Sequence, residues 1–145
     1  MDERVVRLSE LVRAHKFVPN KLRTNISRDL VWHGVRPRPF LRTAVLSNTL
    51  RTGPIVDLCR EMLGDFVNAV TLNHQVTCSP HRDGRNVSES AILFFGEYTG
   101  GELCIEDGRV FSERNVWHFF DGSKLLHWNL PHEGEKWSVV AWRGR

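Results

Sequence analysis

The chain lacks what several classes of protein cannot do without. Nowhere in its 145 residues is there an apolar run of about 18, the length a membrane-spanning helix needs, so no membrane span is expected. The opening Met1-Asp2-Glu3-Arg4-Val5 is acidic and has no apolar core of the kind a secretion signal carries, which makes an intracellular protein, cytoplasmic or nuclear, the expectation. Three cysteines, Cys59, Cys78 and Cys104, are odd in number and scattered, which argues against a disulfide framework, and no CxxC pair is present to seat a structural zinc. Internal repeats and low-complexity tracts are also missing, as is the alternation of strand and helix that marks a parallel sheet.

What remains is the composition of one globular domain, with 41% hydrophobic residues and a length sufficient for a single sizeable core. The net charge of +3 conceals an asymmetry. Residues 1–52 carry 11 Lys/Arg against 4 Asp/Glu, a net +7, whereas residues 53–145 carry 9 against 13, a net −4. A basic first third suits an anionic partner such as nucleic acid, against the plainer reading of a solvated basic surface.

Val5, Leu8, Leu11, Val12 and Ala14 recur at a helical period over residues 4–14, so an amphipathic helix is expected there. From Val18 to Pro39 the period is lost and Pro19, Gly34, Pro37 and Pro39 punctuate a long loop or arm. Its Lys21, Arg23, Arg28, Arg36 and Arg38, with Trp32, are the residues best suited to a phosphate backbone. Phe40 to Ser47 reads as a strand. Pro54 then opens a second helix whose apolar stripe is Ile55, Val56, Leu58, Cys59, Met62 and Leu63, with Gly64 after its end. Beyond it the pattern is β: 66–77, 90–95, 102–105, 110–111, 116–120, 125–129 and 137–142 read as short strands separated mostly by Gly or Asp. This predicts a mainly β antiparallel sandwich or jelly roll, with the helices of a basic region at 1–65 packed on one sheet of a core at 66–145, all in one domain. Gly100-Gly101 is read as a turn, and Trp128, Trp137 and Trp142 as core or cavity wall.

The stretch that carries chemistry is Cys78-Ser79-Pro80-His81-Arg82-Asp83-Gly84-Arg85-Asn86. His81 and Asp83, one residue apart on a turn, can both reach one divalent metal. A third ligand must come from downstream: His127 is the first candidate, His132 a rival, and His118 a weaker one on the flank of a strand. Two His and one carboxylate would leave part of an octahedral iron open. Further on, Lys136 and Ser138 share one face of a strand, where a cation and a hydroxyl would hold the far carboxylate of a dicarboxylic acid. Asn73 and His74 alternate faces just before the motif, so at most one of them points inward. Cys78 is read as a small buried hydrophobe.

His81-Arg82-Asp83, then His127, then Lys136-x-Ser138 resembles the iron(II)/2-oxoglutarate oxygenases, over roughly residues 66–145. The resemblance implies a double-stranded β-helix, a cupin-like jelly roll. It also implies Fe(II) on His81, Asp83 and His127, and 2-oxoglutarate held by Lys136 and Ser138 with Asn73 as a further contact. O2 and 2-oxoglutarate would be converted to succinate and CO2. His81 to Asn86 followed by Phe95-Gly96-Glu97-Tyr98-Thr99-Gly100-Gly101-Glu102-Leu103 is similar to the nucleic-acid-modifying branch containing the ten-eleven-translocation and base J (TET/JBP) enzymes, which oxidise the methyl group of 5-methylpyrimidines. That likeness places Asn86, with Arg85 beside it, at the substrate base, and makes DNA or RNA the expected partner. Lys136 departs from that branch, which uses Arg there; lysine is the choice of the prolyl hydroxylases, so protein side-chain hydroxylation is the second expectation. A jelly roll that binds without catalysis is the third.

Overall fold

The computed structural model describes residues 1–23 and 44–145. Helix α1, Glu3–Ala14, starts where the Asp2 carboxylate accepts the Arg4 N–H at 2.8 Å, and buries Val5, Leu8 and Val12. Helix α2, Pro54–Leu63, begins on its proline and stops at Gly64, whose N–H reaches the Arg60 carbonyl. Among the described residues no helix is long and apolar enough to cross a membrane.

Eight strands follow the expected pattern: β1 Leu46–Leu50, β2 Ala69–His74, β3 Ser90–Gly100, β4 Leu103–Ile105, β5 Val110–Phe111, β6 Trp117–Phe120, β7 His127–Asn129 and β8 His132–Trp142. They form a five-stranded sheet in the order β1-β2-β8-β3-β6 and a three-stranded sheet in the order β5-β4-β7, with antiparallel pairing throughout. The architecture is the expected mainly β jelly roll. Strands β3 and β8 are longer than the apolar alternation indicates. They pair with each other from Ala91↔Ala141 to Gly100↔His132, so the polar run Glu133-Gly134-Glu135 is extended by its partner strand and not by its own pattern. The strand expected over Phe40 to Ser47 is met by β1, which starts six residues later and ends three later; Phe40–Thr43 lie outside the described residues, as do Arg28, Trp32, Arg36 and Arg38 of the arm.

The large sheet separates two environments. On one face Val70, Leu72, Leu93, Phe95, Trp137, Val139 and Ala141 pack against α1 and α2. On the other, Ile92, Phe94, Tyr98 and Val140 meet Leu103, Ile105 and Phe111 of the small sheet, with Phe120 between them. The second face is only partly apolar. Toward β1 and β2 it carries Ser47, Thr49, Thr71, Asn73 and Ser138, which line a cavity of about 580 Å³, within the size range of small-molecule sites.

Candidate metal centre

His81, Asp83 and His127 converge at the wall of that cavity. The two histidines, 46 positions apart in sequence, are joined by a two-residue β-bridge: His81 N–H donates to the His127 carbonyl and His127 N–H to the His81 carbonyl, both at 3.1 Å. Asp83 is positioned by its own backbone N–H, which donates to the Gly122 carbonyl at 2.8 Å. Arg82, between His81 and Asp83 in sequence, donates from Nε to the Lys124 carbonyl and from Nη2 to Glu106, whose carboxylate also takes the Leu126 N–H. This ties the turn at 81–83 to the loop that delivers His127.

The side chains meet closely. His81 Nε2 is 3.2 Å from Asp83 Oδ1, and His127 Nε2 is 3.1 Å from Asp83 Oδ2. Each Nδ1 lies on a backbone carbonyl, Ser79 for His81 at 2.7 Å and Leu125 for His127 at 3.0 Å. A carbonyl can only accept, so Nδ1 carries a proton, and Nε2, which faces the carboxylate, is the nitrogen left to offer a lone pair to a metal. Two Nε2 atoms and a carboxylate, with these atoms all within 4.8 Å of one another, make a donor set that could hold a metal ion. Metal bonds of about 2.1 Å place adjacent ligand atoms about 3 Å apart in an octahedron, which agrees with both measured contacts. Fixing the tautomer through a carbonyl is also how ligating histidines are oriented in metal proteins. Burial works to raise the Asp83 carboxyl, but its close contacts with His127 and His81 outweigh it and hold it well below the usual carboxylate range.

Gly122 is a member of this site that the sequence does not announce. A Cβ there would stand 2.9 Å from Asp83 Oδ2 and 3.2 Å from His127 Cε1, so any side chain would crowd the ligands.

The polar end of the cavity lies across β2 and β8. Asn73 and Ser138 are register partners; Asn73 Nδ2 donates to the Ser138 hydroxyl at 3.1 Å, and Asn73 Oδ1 accepts from the Ser47 hydroxyl at 2.7 Å. Asn73 is the inward residue of its pair, since His74 stacks on Trp137 at 4.4 Å on the helix-facing side. Lys136 shares the inner face with Ser138 but is 3% exposed, with Nζ donating to the Gly101 carbonyl at 2.7 Å beside the Phe94 and Tyr98 rings. Burial lowers its pKa to about 8. Gly101, with φ +73°, makes room for it: a Cβ would lie 3.1 Å from Nζ. Among the described residues Lys136 does not line the cavity; Ser138 and Asn73 do.

Asn86 lines the same cavity as His81, Asp83 and His127, 8% exposed, with Nδ2 on the Ser90 hydroxyl at 2.8 Å. Arg85 is exposed beside it at the rim. The rival ligands lie elsewhere: His132 bonds Gln75 Oε1, and His118 stacks on Phe111 with Nε2 on the Glu113 carbonyl. Cys78 also faces the cavity, its thiol pushed up by burial.

No protein-family model matches the chain, and no curated protein matches it in sequence. Solved structures do share its fold. A Burkholderia pseudomallei oxidoreductase described as a 2OG-Fe(II) oxygenase family member superposes with a TM-score of 0.57 at 13% identity, covering 97% of this chain and 81% of that one. NgTET1 in complex with 5mC DNA superposes with a TM-score of 0.50 at 21% identity over 55% of this chain, which spans about a third (34%) of the NgTET1 chain. The jelly roll is thus that of 2OG-Fe(II) oxygenase structures.

Proposed function

We propose that this chain is an iron(II)/2-oxoglutarate-dependent dioxygenase whose prime substrate is a nucleic-acid base, with the methyl group of a 5-methylpyrimidine as the specific target. The observation that carries the oxygenase reading is the convergence of two carbonyl-fixed imidazoles and one carboxylate on a single point inside this fold. A 2-His-1-carboxylate set with open positions is the donor arrangement of non-haem iron(II) oxygenases. His81, Asp83 and His127 would hold the metal; Asn73 and Ser138, with Lys136 behind them, would receive the co-substrate. When bound, iron(II) with 2-oxoglutarate and O2 supplies an oxidation that places one oxygen atom in a substrate C–H bond while the keto acid becomes succinate and CO2. The chain's own contribution is to fix both imidazole tautomers, to exclude water with Phe120 and Leu103, and to present Asn86 and Arg85 toward the cavity mouth.

The nucleic-acid part of the reading rests on charge. Arg23, Arg51, Arg82 and Arg85 line the cavity, and Asp83, a metal ligand, is the only carboxylate among the described lining residues. Asn86 offers an amide that can both donate to and accept from a base edge. Because the NgTET1 structure holds 5mC DNA, methylated DNA is the first substrate to try. Lys136 supports a second reading, hydroxylation of a protein side chain, since an ammonium replaces the guanidinium of the nucleic-acid-modifying branch.

The test is 2-oxoglutarate turnover by the iron-loaded protein with methylated DNA, RNA and a peptide pool, followed by mass analysis of each. A gain of one oxygen on the methylated strand is expected. Oxygen found only on peptide would replace the first reading by the second. Without substrate, anaerobic iron(II) and 2-oxoglutarate should produce a weak visible charge-transfer band; its absence, with no binding of either ligand, would remove the oxygenase assignment.

A further inference from the structure

The cavity runs on past the row formed by Ser47, Asn73 and Ser138. Ser47 and Thr49 of β1 and Arg51 just after it all line it, and from Ser47 to Arg51 is about 13 Å of extended chain, more than one small dicarboxylic acid spans. At this far end the Arg51 guanidinium lies over the Trp142 ring, its Cζ 5.0 Å from the ring centroid. The ring is fixed by its Nε1, which donates to the Thr71 hydroxyl at 3.0 Å, and Thr71 shares a 2.9 Å hydrogen bond with the Thr49 hydroxyl. Gly144 leaves room for the stack: a Cβ there would stand 2.7 Å from Trp142 Cζ3 and 3.2 Å from Arg51 Nη1. Gly144 also forms a β-bridge with Asn86, whose own N–H donates to the Asp83 carbonyl at 3.1 Å. One short turn therefore joins the proposed metal ligand Asp83 to the surroundings of the Arg51–Trp142 stack.

We propose that Arg51, held over Trp142, binds a phosphate flanking the target base, so that the substrate strand is gripped by its backbone at the end of the cavity remote from Asn73 and Ser138. The proposal rests on the nucleic-acid reading above and adds to it the residue that holds the target nucleotide's own phosphate. A guanidinium stacked on an aromatic face keeps its in-plane N–H groups at its rim, where they match the paired oxygens of a phosphate. Among the described residues no carboxylate pairs with Arg51, so no internal ion pair has to be broken before an anion binds. The stack also restricts the side chain in advance, which lowers the entropy lost when a ligand is gripped. The base attached to that phosphate would lie between the stack and the metal ligands, alongside Asn86.

Anaerobic calorimetry on the iron(II)-loaded protein with 2-oxoglutarate tests this at one fixed salt concentration, since phosphate contacts are salt-dependent. The probe is a short single strand of DNA carrying one 5-methylcytosine, with each of its two flanking phosphates replaced in turn by a neutral methylphosphonate. One of the two replacements is expected to weaken binding to the wild type about 10- to 100-fold, the loss of a charged hydrogen bond. Arg51→Gln should weaken the native strand by a similar factor, and the same replacement should then cost that variant no more than about twofold. Arg51→Lys, which keeps the charge and loses the fork, should retain part of the affinity, and the thermal midpoints of both variants check the fold. Arg60→Gln removes the same charge from α2, outside the cavity lining, and should leave binding within about twofold. Equal losses on replacement in wild type and Arg51→Gln would overturn the proposal, as would an unchanged affinity in Arg51→Gln or a loss in Arg60→Gln as large as its own. In each of these cases the strand still binds the wild type and the nucleic-acid reading stands. If the wild type binds 2-oxoglutarate but no strand, that reading and the proposal fall together while the oxygenase reading stands.

Discussion

The two faces of β8 make the most instructive comparison in the molecule. Trp137, Val139 and Ala141 alternate with Lys136, Ser138 and Val140 along one strand, yet the first set is sealed under α1 and α2 while the other set lies on the cavity side of the sheet. On the helix side the contacts are mainly apolar, apart from His74 stacked on Trp137 and the Arg13 guanidinium over the same ring, and their worth is chiefly the area removed from water. On the cavity side each polar group has a named partner: Ser138 with Asn73, Asn73 with Ser47 and Arg23, Lys136 with Gly101. One face holds the sheet in place while the other spends stability to keep polar groups poised, as functional sites commonly do.

That division can be broken from either side. The largest effect is expected from Asp83→Ala, which removes the only carboxylate of the proposed ligand set. Iron(II) affinity should fall by at least about 100-fold, beyond the loss typical of supporting residues alone, while the thermal midpoint of the metal-free protein changes little. Titration with iron(II) under anaerobic conditions checks it; retention of metal by the variant would show that the ligands lie elsewhere.

Leu72→Ala is the mirror experiment. Leu72 is fully buried on the helix side, next in sequence to Asn73 but facing away from it. Its truncation should cost about 2–5 kcal/mol in chemical denaturation and leave the affinity for iron(II) within about twofold. A large change in metal affinity would mean that the two faces are not separable.

The smallest expected effect sharpens the comparison. Lys136 is a charge kept on the polar face at a cost, because burial lowers its pKa from 10.5 to about 8. The unfolded chain therefore holds this proton up to about pH 10.5 while the folded chain releases it near 8, so the penalty is fully present below pH 8 and fades as pH rises through that window. Lys136→Met should accordingly stabilise the ligand-free protein at neutral pH by up to about 3 kcal/mol, less the lost bond to Gly101. The advantage over wild type should shrink between about pH 8 and 10.5; an advantage independent of pH would show that the ammonium carries no burial cost.

Much of this was legible in the residues. Helical spacing located α1 and α2, and strand alternation located the β elements, because both periods are local properties of the chain. The ends of β3 and β8 were not legible, since Gly96, Gly134 and the glutamates around them are extended by cross-strand pairing alone. His81 and Asp83 stand out by their spacing, and His127 by its distance downstream. Gly122 leaves no such mark: what matters there is a missing Cβ opposite Asp83, which is a fact about proximity in space.

By itself the sequence determined the types of group available and the faces on which neighbours lie: two imidazoles and a carboxylate for a metal, Asn73 opposed to His74, Lys136 aligned with Ser138. Only the tertiary structure decided which groups meet. It turned the Lys136 ammonium onto Gly101 and brought Arg23, 50 residues before Asn73 in the chain, onto that amide. The physical reason is that side-chain alternation follows from the pleat of one strand, whereas contact across 50 residues exists only once the sheet has closed around the cavity.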